Sequence, residues 1–496
     1  MSIDDARMPS GTPAAPIPEP APIPESATQG SGTWAALRPL LLRLHFYAGI
    51  LIAPLLLVAA LSGMLYALSY QAEKVVYRNE LYVPVGEKTV PLGEQVEAAR
   101  AAHPDNTVTA VWPAPEAGAT TRVLMADPEL AEGVQLAVFV DPYTAEVRGD
   151  LPSYGSSGAL PLRTWLSRLH VDLHLGELGR NYSEMAASWM WVVALGGFAL
   201  WIGRRRTARR SLAVPERGLT GRRRTLSWHG AVGLWAVAGL VLLSATGLTW
   251  SRYAGENIDA VRSQLGGATP AVSTTLDGAA PGGGGHEGHG AGHQPDPAAS
   301  AGPDIGIDRA VEAARSAGVD GGSIAVTLPA EGQAYVVKQT DTAFPVQLDS
   351  VAVDPADGRI TDQLRFTDFP LLAKLTRYGI DAHMGVLFGL PNQLALAALM
   401  AALVLLIVWG YRMWWQRGPV KGRSSGPGRP ARRGAWRRVP APLLLPLAAV
   451  AALTGWFVPM LGLSLLAFLV VDAAVGAVTA RRDRTGPGAA APARTD

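Results

Sequence analysis

Four of the nine histidines fall into two matched pairs, and imidazole is a natural ligand for a redox metal held inside a helical bundle. His45 and His229 each open a long apolar stretch. His170 and His383 each precede another. Two imidazoles that face each other across a bundle axis can supply both axial ligands of a haem. Both low-spin positions are then filled, which favours electron transfer over oxygen binding. Two such pairs at different depths would make a transmembrane electron wire. A single interfacial histidine is most simply an amphipathic residue at the headgroup level. Repetition at fixed offsets is what lifts these four above that reading, because ionisable residues at membrane helices are functional candidates. His174, on the turn after His170 and on the same helical face, competes with it for the ligand role. Its counterpart in the repeat is Leu387, so the repeat favours His170. Counting helix rise from Trp201 and Trp409 puts the outer pair at or just beyond the outer membrane interface.

Other side chains bear on the same chemistry. Arg43 can reach haem propionates, although its counterpart is Ser227 and its charge equally serves topology. Gly49, Gly63, Gly233 and Gly247 either make room for flat macrocycles or allow close helix packing. His286, His289 and His293 lie in a Gly-rich tract that could hold Zn²⁺ or Cu²⁺ weakly or serve as a plain linker. The chain has no cysteine, which excludes disulfides, thiolate metal sites, Cys-ligated iron–sulfur clusters and covalent haem. No strand–GxGxxG–helix unit and no Walker motif occurs, so no flavin or nucleotide site is expected. Two haem b groups are the expected cofactors.

The elements that must position these residues are membrane helices. Hydrophobic residues make up 48% of the 496 and charged residues only 17%, against about 25% charged in soluble domains. The pattern predicts an α-helical integral membrane protein with about six spans: 38–69, 186–202, 229–250, 381–415 and a hairpin at 441–480 that turns near Trp456–Pro459. The first four form a pseudo-twofold core. Segment 203–228 holds nine Arg against Glu216, and 412–438 holds nine Lys or Arg and no acid. The long connections 70–185 and 251–378 each hold nine basic and 16 acidic residues. The positive-inside rule therefore puts loops 203–228 and 416–440, the 481–496 tail and both termini in the cytoplasm, and the two acidic segments outside. Residues 1–33, rich in Pro and Ala, cannot bury enough surface to fold.

The outer segments repeat each other. Val96-Glu-Ala-Ala-Arg100 recurs as Val311-Glu-Ala-Ala-Arg315, and Val140-Asp-Pro142 recurs as Val353-Asp-Pro355, the second pair alone at the spacing of His170 and His383 and the first two residues longer. Helical spacing followed by short alternating runs predicts a small α+β module in each, the second at 304–365 after an insertion at 266–303. In the membrane, Ser62-Gly63 recurs as Thr246-Gly247 at the spacing of His45 and His229. The chain thus reads as two parallel copies of helix–module–helix about an axis along the membrane normal.

Four motifs in order, Arg43-Leu-His45-Phe-Tyr-Ala-Gly49, Leu169-His-Val-Asp-Leu-His-Leu-Gly-Glu-Leu-Gly179, Trp228-His-Gly-Ala-Val-Gly233 and Ala382-His-Met-Gly-Val-Leu-Phe-Gly389, resemble the PepSY-associated transmembrane family over roughly 35–415. The outer modules resemble PepSY domains. That family includes iron-regulated inner-membrane proteins and ferric-siderophore reductases with b-type haem. The resemblance implies reduction of a ferric chelate outside the membrane with electrons from inside; with no nucleotide fold in the chain, the expected donor is quinol or a separate cytoplasmic reductase. The expected partners are the lipid bilayer, that donor and that chelate, with no nucleic acid. Two alternatives stay open: a non-enzymatic envelope protein whose PepSY modules bind, inhibit or sense a partner, and an accessory to metal transport.

Overall fold

The computed structural model describes residues 33–204, 212–276, 304–416 and 433–485. In chain order its helices are α1 (Thr33–Leu51), α2 (Ala53–Val76), α3 (Arg78–Leu81), α4 (Leu92–Ala102), α5 (Pro161–Val171), α6 (Glu177–Arg204), α7 (Gly221–Leu248), α8 (Tyr253–Gln264), α9 (Ile307–Ser316), α10 (Leu371–Met384), α11 (Leu390–Trp415), α12 (Ala441–Phe457) and α13 (Pro459–Thr485). Among the described residues, α2, α6, α7, α11 and α13 are long and apolar enough to cross a membrane. The chain is a multi-pass helical membrane protein. The count differs by one from the six spans predicted. α12 has 17 residues, about 26 Å of rise against a hydrocarbon core of about 30 Å.

Pro54 shapes the first span. It has no N–H to give to the carbonyl of Ile50, so the helix breaks between α1 and α2 at Ile52. The hydroxyl of Tyr411, on α11, donates to that carbonyl at 2.8 Å. A backbone acceptor that lipid could not satisfy is thereby met from a neighbouring helix. Around this point α6 packs on α7, α11 on α2 and α7, and α1 on α6. Ala48, Ala60, Ala186 and Ala236 lie buried in their contacts. Small residues let backbones approach, which matters where lipid tails are as apolar as leucine.

The two outer segments do not form separate modules. Strands β1 (Thr107–Trp112), β2 (Thr121–Ala126), β3 (Val134–Val140), β4 (Val147–Tyr154), β5 (Ile324–Thr327), β6 (Tyr335–Gln339), β7 (Ser350–Val353) and β8 (Ile360–Leu364) make one antiparallel sheet, in the order β4-β3-β2-β1-β5-β6-β7-β8. The join is β1 against β5, where Val111 pairs with Val326. These two valines are spaced as Val96 and Val311 are, so each is the repeat counterpart of the other and the pseudo-twofold axis passes through their pair. Joining there removes two strand edges that would otherwise be open to other chains. The helices α4 and α9 cover the same core, with Val96, Ala99, Val311 and Ala314 against the strand valines. Asp308 of α9 accepts the N–H groups of Leu92 and Gly93 at 2.7 and 2.9 Å, capping α4 from the other copy.

α5 connects sheet to membrane by doubling back along α2. The Glu73 carboxylate, near the end of α2, accepts the N–H of Leu160 at 3.0 Å and the Arg163 guanidinium at 2.8 Å. The Tyr77 hydroxyl accepts the N–H of Leu162 at 3.0 Å. With its start held there, α5 runs toward Ser62 and carries His170 with it.

Candidate functional site: two levels of paired histidines

His45 stands on α1 and His229 on α7, and their ring centres are 6.4 Å apart. Each Nδ1 faces a main-chain carbonyl across the bundle: His45 that of Val193 and His229 that of Leu406, both at 3.1 Å. Val193 and Leu406 are spaced as His170 and His383 are, so these anchors obey the repeat as closely as the histidines do. A carbonyl only accepts, so each Nδ1 carries a proton, and in the neutral ring Nε2 then keeps the lone pair. Gly197 makes room for the first ring: a Cβ there would stand 2.8 Å from Cε1 of His45.

The second level uses hydroxyls. His170 Nδ1 lies 3.0 Å from Ser62 Oγ, and His383 Nδ1 lies 2.7 Å from Thr246 Oγ1. Ser62 follows His45 in the chain by the same interval that separates Thr246 from His229, about 26 Å of helix rise. Gly63 and Gly247 border these rings: a Cβ would stand 3.1 Å from His170 Cε1 and 3.6 Å from His383 Cε1. Trp250 meets the His383 ring edge-on at 5.2 Å. The rise count put this pair at or beyond the outer interface. The backward course of α5 instead brings His170 to Ser62, within the apolar part of α2.

The remaining candidates are placed differently. His174 is exposed, in a turn with φ +55°, and stacks on Trp165 at 5.0 Å. Arg43 is ion-paired with Asp472 of α13, and its guanidinium lies 4.9 Å over the Tyr47 ring. Arg433 approaches the same carboxylate at 3.2 Å, so a propionate would have to share Arg43. Gly49 has open space around it, and Gly233 borders Leu406. His286, His289 and His293 lie outside the described residues.

The donor set suits a haem. At each level two imidazoles have Nδ1 engaged, by carbonyls in one pair and hydroxyls in the other, which leaves Nε2 as the nitrogen that would face a metal, as ligating histidines are commonly oriented. Opposed imidazoles on one ion, bonded at about 2 Å, have ring centres roughly 6.5 Å apart, close to the 6.4 Å of His45 and His229. Among the described residues, no cluster of three or more His, Asp or Glu side chains forms. Two ligands fall short of a tetrahedral zinc site but suffice where a macrocycle brings four nitrogens.

In the sequence Ser62 and Thr246 stand out only as repeat positions, and no motif marks Val193, Leu406 or Gly197. Gly410, which matches Gly197 at the spacing of His170 and His383, was the signal available. The curated proteins contain no match to this sequence. A family model for the PepSY-associated TM region matches residues 42–417, a stretch that holds all four paired histidines and both halves of the sheet. The chain belongs to the PepSY-associated transmembrane family.

Proposed function

We propose that this protein is a two-haem electron carrier of the cell membrane that reduces ferric chelates outside with electrons taken from inside. The observation that supports it most is the matched anchoring of four histidines at two levels, Nδ1 facing a main-chain carbonyl at one level and a side-chain hydroxyl at the other. When bound, each haem b supplies a one-electron Fe(III)/Fe(II) couple. The chain's own residues do the rest. His45 and His229 hold the inner group and His170 and His383 the outer one. The carbonyls and hydroxyls fix the tautomer and ring orientation. The apolar packing of α2, α6, α7 and α11 keeps water from the path between levels.

Direction follows from charge. The Arg-rich connections lie toward the cytoplasm by the positive-inside rule, which places the sheet outside and the His45–His229 level nearer the donor. The donor is quinol or a separate reductase, because the sequence contains no nucleotide-binding motif. Purification from haem-replete cells tests the reading: two b-type haems per chain, low-spin and six-coordinate, are expected. A colourless preparation would overturn it. A reporter active only outside, fused near residue 120, is expected to work, and one fused near 215 is not.

A further inference from the structure

Resting on that reading, we propose that Ser62 and Thr246 are positioning residues for the outer pair and tune the potential of the iron it holds. A hydroxyl has one proton to give. Ser62 Oγ donates to the carbonyl of Val58 at 2.8 Å, with that of Ala59 at 3.2 Å. Thr246 Oγ1 donates to Leu242 at 2.8 Å, with Leu243 at 3.4 Å. With the proton spent on the preceding helical turn, each oxygen accepts from histidine Nδ1–H, at 3.0 Å in the first copy and 2.7 Å in the second. The back-bond also polarises the hydroxyl and strengthens it as an acceptor.

Two consequences follow. The ligating nitrogen of His170 and His383 is fixed as Nε2. The imidazole also gains basicity from the acceptor behind it, which stabilises ferric over ferrous iron and lowers the potential. The inner level differs in kind. Its acceptors are main-chain carbonyls, which no substitution of the Val193 or Leu406 side chain removes. Of the two levels, the outer one sets a side-chain hydroxyl beside Nδ1 in both copies, and in the first copy Gly63 leaves room for the His170 ring.

The test is spectroelectrochemical titration of the full-length purified protein, with the outer haem identified as the one lost in His383→Ala. Ser62→Ala and Thr246→Val should each raise the outer midpoint and leave the inner one unmoved. A shift of up to about tenfold in the reduction equilibrium, about 59 mV for one electron, is expected. Ser62→Thr and Thr246→Ser keep an acceptor and should restore the wild-type potential. If an acceptor-less variant loses the outer haem while the conservative one retains it, the positioning role stands. Unmoved midpoints in a red protein, or equal shifts at both levels, would overturn it. A colourless wild type sinks the haem reading itself and this inference with it, so the two failures are told apart by the unmutated protein.

Discussion

The two copies agree where they face each other and diverge where they face something else. Along the pseudo-twofold axis the matches are close: His45 and His229 meet carbonyls that are repeat counterparts, His170 and His383 meet hydroxyls that are repeat counterparts, and Val111 pairs with its own counterpart Val326. At the periphery they part. Glu73 and Arg163 form a buried ion pair in the first copy, while their counterparts are Asn257 and Thr376. Asn257 donates instead to the carbonyl of Phe457 in the hairpin. Arg43 pairs with Asp472 of that hairpin, whereas its counterpart Ser227 accepts the N–H of Glu216. The hairpin lies outside the repeat, so it can touch each copy only in a different way. Symmetry here is retained by residues whose partner is also symmetric.

The largest effect that would break this comparison is at the axis. His229→Ala and His383→Ala should each halve the haem content, because one imidazole cannot keep a six-coordinate low-spin iron. The first should leave the outer haem reducible by dithionite but cut off from a cytoplasmic donor. The second should leave the inner haem reducible but no longer reoxidised by an outside chelate. Identical spectra and identical losses in the two variants would refute the two-level assignment.

Next comes the periphery. Glu73→Ala strands Arg163, whose side chain is 7% exposed, and removes the anchor of the Leu160 N–H. A loss of about 3–5 kcal/mol is expected, against about 1 kcal/mol for one hydrogen bond in Asn257→Ala. Thermal unfolding in detergent should rank them in that order. Equal losses would mean that the copies are braced alike despite their chemistry.

The glycines sharpen the outer level. Gly63→Ala puts a methyl 3.1 Å from His170 Cε1, and Gly247→Ala puts one 3.6 Å from His383 Cε1. The first must displace a ring and the second need not. Low-spin electron paramagnetic resonance signals of the outer haem should change for Gly63→Ala and stay as they are for Gly247→Ala.

The smallest effect lies in the sheet turns. The turn after each Asp-Pro pair needs a positive φ, and the copies fill it with Ala145 at +57° and Gly358 at +77°. Ala145→Gly should stabilise by up to about 1 kcal/mol, since a Cβ is disfavoured in this region. Gly358→Ala should cost a similar amount, and its Cβ would also touch Ile305 at 3.4 Å. Melting temperatures of the two variants should move in opposite directions.

The sequence by itself determined the membrane character, the two-copy order and the spacing of the four histidines that the structure anchors at two levels, because hydropathy runs and repeat offsets are properties of the chain alone. Strand alternation likewise marked the pairing runs in each outer segment. Tertiary structure decided what lay between them. Only the fold could show that β1 and β5 close the outer segments into one sheet, since either segment taken alone satisfies its own alternation. Only the fold could turn α5 back along α2, because that depends on Glu73 and Tyr77 catching the start of a helix on the far side of the first half-sheet. It also chose His170 over His174 for the Ser62 contact and gave Arg43 to Asp472, far along the chain in the hairpin. Periodicity reports which face of an element is apolar. Which acceptor an imidazole meets depends on where separately folded helices cross, and on whether a glycine lets the ring come close enough.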